Sequence, residues 1–318
     1  MSSVGILFAL LTTLTWSIGI FPFTQAARRL GVNPLNHFRL LLATILIGII
    51  NLFFFRDHFL QLFTPEFHLA WIWLGLSGII GLTIGDYFAF EMYSILGARM
   101  GSILTTFAPA AALLLGAPLI GEHISFTGII GIAITILGVN YISLGKGEIN
   151  TIPNHGHGSI TRGIVTGILA ALCQGAGLVL AKKGMIAELQ MHTSLHPFAA
   201  TFIRLSIGTL SLFMLTTLQR NWKTVYKPIR ENKEDGIKYA VSGTIFGPTL
   251  GVSLSLFTVA LIDPSVAQTI FSLVPAFAMV LAALFFKEKL TVPAVVGLLV
   301  AISGVLILIW RDKIDLLF

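Results

Sequence analysis

Charged residues are scarce in this chain, and their scarcity decides its class. Only 11% of the 318 residues are charged, whereas a soluble domain carries about 25%. Because 55% of the residues are hydrophobic, too little polar surface remains to cover a water-soluble globule. We therefore expect the apolar surface to face lipid, and we exclude a soluble fold. The net charge of +6 is assigned to loops beside anionic lipid heads rather than to nucleic-acid binding.

Cysteine and the common catalytic motifs are also nearly absent. The single cysteine, Cys173, excludes an internal disulfide and a thiolate metal cluster. The sequence has no Gly-rich phosphate loop, no His-Glu-x-x-His helix and no Asp-rich motif, which argues against ATP hydrolysis and metal-dependent catalysis. His155 and His157 have no third ligand nearby, so we interpret them as part of a linker. No metal and no cofactor are expected.

Ten apolar segments are long enough to cross a membrane as helices, which takes about 20 residues each. Strands are not expected, because no ten-residue alternation of apolar and polar residues recurs. The chain is therefore predicted to be an all-α membrane protein with ten transmembrane helices. The predicted spans are residues 4–24, 35–55, 69–93, 98–120, 125–144, 163–187, 196–218, 237–261, 264–286 and 292–310.

The chain repeats itself with a shift of 166 residues, and no gap is needed at the ends of the two halves. With five spans in each copy, the second copy must lie upside down relative to the first. Two inverted five-helix repeats are typical of alternating-access transporters. The predicted parts are a first repeat over 1–144, a polar linker over 145–162 and a second repeat over 163–318. Matched positions are Gly85 and Gly251, Pro109 and Pro275, Glu122 and Glu288, Gly131 and Gly297, and Gly138 and Gly304.

Particular residues in both halves resemble a known family. In the first half they are Gly97, Ala98, Arg99, Pro109, Gly121, Glu122, Gly131 and Gly138. In the second half they are Asp263 to Ala267, Pro275, Lys287 to Lys289, Gly297 and Gly304. Asn33-Pro34 before Arg39, and His196-Pro197 before Arg204, match a second-helix pattern in each half, and the stretch LLTTLTWSIGIF contains Trp16. These residues, with the repeat and the ten spans, resemble the drug/metabolite transporter superfamily and its EamA-type permeases.

The resemblance covers nearly the whole chain, and it implies a secondary transporter with a central cavity between the repeats. It also implies that both termini are cytoplasmic, in a multi-pass protein of the cell (inner) membrane. It implies no particular substrate. One departure is Gln174, which stands near the counterpart position of Trp16 in the second half.

Ionisable residues inside a span are costly in lipid, so each is a functional hypothesis. Arg39 lies about 7 to 8 Å inside the second span, and Asp86 lies about 10 Å from the end of the third. Both are near the same face, so we expect them to pair, with snorkelling of Arg39 and a structural hydrogen bond of Asp86 as alternatives. The counterpart of Asp86 is Val252, an asymmetry that suits proton or substrate binding. Arg204 is predicted to contact an anionic substrate group or a phospholipid head.

Two prolines mark the predicted cavity. Pro109 and Pro275 interrupt long spans, and each is expected to free a backbone carbonyl. Freed groups at membrane depth face protein or a cavity, so the cavity is placed beside these breaks. Glu122 and Glu288 are predicted to tie short turns together, with gating as an alternative. Further predicted lining residues, for which core packing is the alternative, are Trp16, Ser17, Thr105, Thr106, Gln174 and Ser272.

A secondary transporter is the predicted function, and an enzyme is not expected. An exporter of small metabolites such as amino acids is the first hypothesis, and a nucleotide-sugar or sugar-phosphate carrier is the second. The alternative of another class is a membrane-embedded lipid-modifying enzyme, which would need clustered catalytic groups. The expected partners are a small-molecule substrate and the lipid bilayer. Proton coupling through Asp86 and the choice between monomer and homodimer are left open.

The charge distribution and the resemblance disagree about orientation. An even number of spans places both termini on one side, where five basic residues are predicted, against thirteen on the other side. The positive-inside rule would put the termini outside. We follow the resemblance, which puts them in the cytoplasm. The five basic residues are Arg56, Lys182, Lys183, Arg311 and Lys313.

Overall fold

Helices make up all the regular structure that is described. The computed structural model describes residues 2–144, 159–190, 195–287 and 292–316, and these ranges contain no strand. A helix satisfies its backbone hydrogen bonds within its own segment, as a hydrocarbon environment demands. The predicted all-α class is therefore correct for the described residues.

The first half contains seven α-helices and a π-helical segment, π1, which joins α4 to α5. Its elements are α1 (Ser3–Leu30), α2 (Val32–Phe54), α3 (Arg56–Gln61), α4 (His68–Gly78), π1 (Ile79–Gly85), α5 (Asp86–Thr105), α6 (Ala108–Ile120) and α7 (Phe126–Leu144). A single 3₁₀ turn, Pro65–Phe67, precedes α4.

The second half contains eight α-helices and a second π-helical segment, π2. Its elements are α8 (Ile160–Gln190), α9 (Pro197–Leu218), α10 (Trp222–Glu231), α11 (Gly236–Thr244), π2 (Ile245–Gly251), α12 (Val252–Leu261), α13 (Pro264–Phe271), α14 (Val274–Phe286) and α15 (Val292–Ile314). A 3₁₀ turn, Lys233–Asp235, leads from α10 into α11.

Within the described ranges, nine helical stretches are long and apolar enough to cross a membrane. A shorter apolar helix, Phe126–Ile142, lies where the fifth span is predicted. Each of these ten helical stretches overlaps one predicted span. The nine are Ser3–Leu30, Val32–Phe54, Pro65–Tyr93, Ile103–Ile120, Ile160–Ala187, Pro197–Leu218, Gly236–Leu261, Pro264–Phe285 and Val292–Ile314.

The irregular backbone recurs in both halves at the spacing of the sequence repeat. The segments π1 and π2 have seven residues each and start 166 residues apart. The interruption between α5 and α6 likewise corresponds to that between α13 and α14, since Thr105 and Ala108 match Phe271 and Val274. The two copies therefore share not only their apolar pattern but also the places where the α-helix is interrupted.

The role predicted for Pro109 and Pro275 needs correction. Both prolines lie in the first turn of a helix, α6 and α14 respectively, and the interruption falls on the residues just before them. A proline in the first turn removes no helical hydrogen bond, because the N–H of that position has no partner inside the helix. These prolines therefore start the second part of each broken span and do not interrupt a continuous helix, and the predicted free carbonyls stay a prediction.

Glycines hold α7 and α15 at backbone contact. A Cβ built on Gly131 would lie 2.8 Å from the carbonyl oxygen of Gly304. In the repeat, these two residues correspond to Gly297 and Gly138, and a Cβ built on Gly297 would lie 2.9 Å from the carbonyl oxygen of Gly138. Each contact is thus the counterpart of the other, and the pairing order shows that the two helices run antiparallel.

Polar side chains join α2 to α9, which are also counterparts and also antiparallel. His37 Nε2 and Thr216 Oγ1 lie 2.7 Å apart near one end. In the middle the hydroxyls of Thr44 and Thr209 are 2.9 Å apart. Near the other end Asn51 Nδ2 donates to a backbone carbonyl of α9 at 3.0 Å. Residue numbers increase along α2 while those of their partners in α9 decrease, so the two helices run antiparallel.

The joint predicted between the third and fourth spans falls inside α5. The side chains of Tyr93 and Thr105 are hydrogen-bonded although they are twelve residues apart. In a straight α-helix those residues would be separated by about 18 Å along the axis. The helix α5 is therefore sharply bent, so that its two parts lie beside each other as separate spans.

Candidate functional site

Arg39 and Asp86 form an ion pair between α2 and α5. Arg39 Nη2 donates to Asp86 Oδ2, and the two side chains are 15% and 25% exposed. Arg39 Nε also donates to Asn36 Oδ1 at 2.8 Å, one turn earlier in α2. The guanidinium lies near the rings of Phe23 and Phe90. Engaged in this way, Arg39 does not snorkel to the lipid heads.

Arg204 lies in α9, and only 7% of it is exposed. Its Nε has no hydrogen-bond partner among the described residues. Its Nη2 lies beside π1, where a Cβ built on Gly81 would be 3.1 Å away. The acid that interacts electrostatically with Arg204 is Asp86, which lies in α5. No acid in the eighth span was predicted to do so. At this burial Arg204 is enclosed by protein, and its predicted contact with an anionic substrate group or a phospholipid head stays a prediction.

Gln174 shows that there is space inside the bundle. It lies halfway along α8 and is exposed. The residues that flank it on the same face of the helix are all buried, namely Ala170, Ala171, Gly177 and Leu178. An exposed polar side chain surrounded by buried neighbours faces an internal hollow rather than lipid. This position is compatible with the lining role predicted for Gln174.

Trp16 lies against π2 and α13. Its ring meets that of Phe271 edge to face, with centroids 5.0 Å apart. A Cβ on Gly251 would collide with its indole nitrogen, so glycine is needed there. The neighbouring Ser17 donates to the carbonyl of Val274 at 3.1 Å. This part of α1 therefore packs on the interrupted ninth span, and Trp16 is only partly buried there.

The other predicted lining residues mark the two interruptions. Thr106 Oγ1 donates to Asn140 Oδ1 at 3.0 Å, which ties the first interruption to α7. Ser272 Oγ donates to the carbonyl of Thr269 at 2.7 Å, inside its own helical turn. Thr105 is held by Tyr93. The structure brings these residues to the breaks but does not bring them to the Arg39–Asp86 pair.

Glu122 joins the two halves on the face of the termini. It is 4% exposed, and its Oε1 accepts hydrogen bonds from both the backbone N–H, at 3.1 Å, and the hydroxyl of Ser265. Ser265 lies in the first turn of α13, where unpaired N–H groups favour a negative charge. The backbone N–H of Glu122 donates to the carbonyl of Gly116 and so stabilises the turn after α6, as predicted. The side chain, in addition, binds Ser265 in the other half. Glu288 lies outside the described residues.

The pKa of Glu122 is raised to about 7, chiefly by burial; Asp263 adds to the rise, whereas the Ser265 hydrogen bonds and Arg311 oppose it. Arg311 lies 3.6 Å from Asp263. Lys182 Nζ is 3.4 Å from the carbonyl of Ile262. This polar cluster of the termini face was missed in the sequence, because its members come from four separate helices and joints that no local spacing connects.

The two faces of the bundle are packed differently. On the termini face α13 packs against α6 and α8, and α12 packs against α8 and α9. The counterpart of both α12 and α13 in the first half is α5. Where the chain is described, α5 shows no comparable packing against the corresponding α14, α1 and α2. Among the described residues, the packing of α12 and α13 toward the termini is thus more extensive than the corresponding packing of α5.

No group of three His, Cys, Asp or Glu side chains that could hold a metal ion is found among the described residues. His155 and His157 lie outside them. The candidate site therefore consists of the charged residues Arg39, Asp86 and Arg204 beside interrupted helices, features that carriers with inverted repeats use for substrate binding.

Comparison with known proteins identifies the family. The profile of the EamA-like transporter family matches residues 3–144 and residues 161–310, one match in each half. A solved crystal structure aligns with 98% of this chain and 99% of its own, with a TM-score of 0.69 and 14% sequence identity, a likeness that shows the fold alone. Comparison with curated proteins gives no significant match. The chain belongs to the EamA-like transporter family, whose members are multi-pass membrane transporters of small molecules.

Proposed function

We propose that the protein is a secondary transporter that exports small metabolites such as amino acids by alternating access in the cell (inner) membrane. The unequal packing of the two faces carries this proposal. Helices α12 and α13 pack against α6, α8 and α9 on the face of the termini, whereas the described part of α5 has no packing of that extent against the corresponding α14, α1 and α2. A central cavity that is open to one side at a time is what alternating access requires.

The self-paired helices support an inverted arrangement of the repeats. In each of the pairs α7–α15 and α2–α9, the two helices are counterparts and run antiparallel. A twofold axis that exchanges two antiparallel helices is perpendicular to them. Because these helices cross the membrane, that axis lies in the membrane plane, which is the relation between inverted repeats.

The same relation defines the second state of the transport cycle. If the two halves exchange their packing, α5 closes its face and α12 and α13 release theirs. The cavity then opens toward the termini without any hydrolysis of nucleotide. Substrate gradients, with or without a proton gradient, drive such an exchange.

Flux into sealed liposomes tests the transporter directly. Purified protein in liposomes that are loaded with amino acids should exchange them for labelled amino acids, with saturation and without nucleotide. A bridge between the halves should stop this flux. With Cys173 replaced by Ser, cysteines at 122 and 265 should react with a short bifunctional methanethiosulfonate, and flux should return on reduction.

The matched control uses the same reagent on the same face. Cysteines at 127 and 315 would bridge α7 to α15, whose side chains Thr127 and Asp315 are hydrogen-bonded. These helices are already in backbone contact, so this bridge should leave flux intact. Equal inhibition by both bridges, or full flux with 122 bridged to 265, would contradict alternating access at this face.

A further inference from the structure

We propose that Arg204 binds the carboxylate of the transported metabolite and that the site selects singly charged acids. The inference rests on the proposed transport function and adds a ligand class to it. It follows from a comparison of the two halves around their buried arginines, and from the surroundings of the Arg204 guanidinium.

The two arginines occupy corresponding places but have unequal partners. Arg39 in α2 and Arg204 in α9 are 165 residues apart, the same offset as the hydrogen-bonded pair Thr44 and Thr209. Arg39 is neutralised by Asp86. The residue that corresponds to Asp86 in the second half is Val252, which has no charge and is buried. One acid is therefore missing from the second half.

The missing acid leaves one positive charge in the site. Asp86 interacts electrostatically with both Arg39 and Arg204. In their ionised forms the three side chains sum to a single positive charge. A charge that is buried without a partner is strongly unfavourable. A ligand that carries one negative charge balances the site, whereas a doubly charged phosphate would leave it with an excess negative charge.

The guanidinium is placed to accept such a ligand. Its Nε is buried and has no partner among the described residues. Glycine at 81 lets the guanidinium approach the backbone of π1, since a Cβ on Gly81 would lie 3.1 Å from Nη2. An arginine with free N–H groups fits a carboxylate with two parallel hydrogen bonds. Arg39 is engaged differently, because its Nε already donates to Asn36 and its Nη2 to Asp86.

Thermal unfolding of the purified protein in the presence of defined small molecules tests the ligand class. The probes are short monocarboxylic acids without an amino group, each compared with its carboxamide, and glycerol 3-phosphate. An amino acid with one carboxylate and one ammonium has no net charge and would not balance the site. At least one acid should raise the melting temperature, and its amide should not, because ligand binding stabilises the folded state. Stabilisation by no acid, by acids and amides alike, or by glycerol 3-phosphate alone would overturn the proposal.

Three variants assign the effect to Arg204. In Arg204→Gln the apparent affinity for the acid should fall about ten- to hundredfold, the usual effect of losing charge-assisted hydrogen bonds. Val252→Asp restores the missing acid and should abolish acid binding while the protein stays folded. Val252→Asn buries a polar group of the same size without charge and should keep acid binding. Equal loss in both variants at position 252 would contradict the charge argument.

Flux measurements separate this inference from the proposed function. A wild-type protein that exchanges an amide or an amine as readily as an acid remains a transporter, and only the assignment of Arg204 fails. A wild-type protein that binds acids but moves none of them across liposomes retains the site, and the transport proposal fails.

Discussion

Thr44 and Thr209 share a hydrogen bond of 2.9 Å although they are 165 residues apart, and each is the counterpart of the other in the repeat. Two equivalent residues can meet in this way only on the axis that relates the halves. The pair lies between α2 and α9, five residues after Arg39 and Arg204 in their helices. The asymmetric charges of Arg39, Asp86 and Arg204 thus lie close to the axis that relates the two halves.

The ion pair between Arg39 and Asp86 should show strong coupling. Asp86→Asn leaves the charge of Arg39 buried without its partner, and such losses cost about 3 to 5 kcal/mol. Arg39→Gln in the same chain should recover part of that loss. The unfolding free energies of the two single variants and the double variant form the cycle that measures the coupling, and additive effects would argue against contact.

Asp86→Asn also tests proton coupling. If Asp86 carries the proton, the variant should exchange substrate but no longer respond to a pH gradient across the liposome. An unchanged response in the variant would assign the coupling elsewhere and leave the carrier itself unaffected.

Glu122 should make stability depend on pH. Burial raises its pKa to about 7 from the usual 4.5, so the folded protein holds this proton more tightly than the unfolded chain. Stability should therefore fall as the pH rises from 4.5 to 7, by at most about 1.4 kcal/mol per pH unit, and level off above 7. Glu122→Gln should remove this component.

Unfolding of the wild type and of Glu122→Gln between pH 5 and pH 8 measures this difference. Glu66→Gln is the matched control, since Glu66 is an exposed acid on the same face. It should keep the wild-type pH profile. If Glu122→Gln also keeps that profile, the raised pKa of Glu122 is wrong.

A single methyl group between α7 and α15 should be harmful. In Gly138→Ala the new Cβ would lie 2.8 Å from the carbonyl oxygen of Gly297, so the backbones must separate. Overpacking of this kind costs about 1 to 3 kcal/mol. Ala133→Leu adds more volume on an exposed face of the same helix and should change the melting temperature little. Similar losses in both variants would show that the helices are not in close contact.

Labelling of intact cells decides the orientation. With Cys173 replaced, single cysteines are placed at 227, in α10, and at 315, just after α15. Following the family resemblance, we expect an impermeant reagent to label 227 and not 315. The reverse result would mean that the distribution of basic residues determines the topology, as the positive-inside rule states.

The sequence contains most of the fold but less of the site. Apolar length places the helices, because lipid leaves few alternatives to a helix of about 20 residues. The shift of 166 residues matches the two halves down to π1 and π2. The pairing of Arg39 with Asp86 could be expected, because depth and helix direction together place two charges at one level.

Contacts between the halves were not accessible from the sequence. Glu122 reaches Ser265, and Arg204 reaches the vicinity of Gly81, only because helices from different halves pack at particular angles. Side-chain direction across such a boundary depends on tertiary packing, which no local spacing encodes. The unequal packing of the two faces could not be predicted either, since the two halves have nearly the same pattern of breaks.

The glycine contacts between α7 and α15 have a consequence for motion. A change that swaps the conformations of the two halves converts every contact into its counterpart. The contact of Gly131 with Gly304 is converted into that of Gly297 with Gly138, which is already present. The set of contacts at this crossing is therefore invariant under the swap, and so is the hydrogen bond between Thr44 and Thr209. The contacts at both crossings can therefore stay unchanged during the conformational change, while the other helices exchange their packing contacts around them.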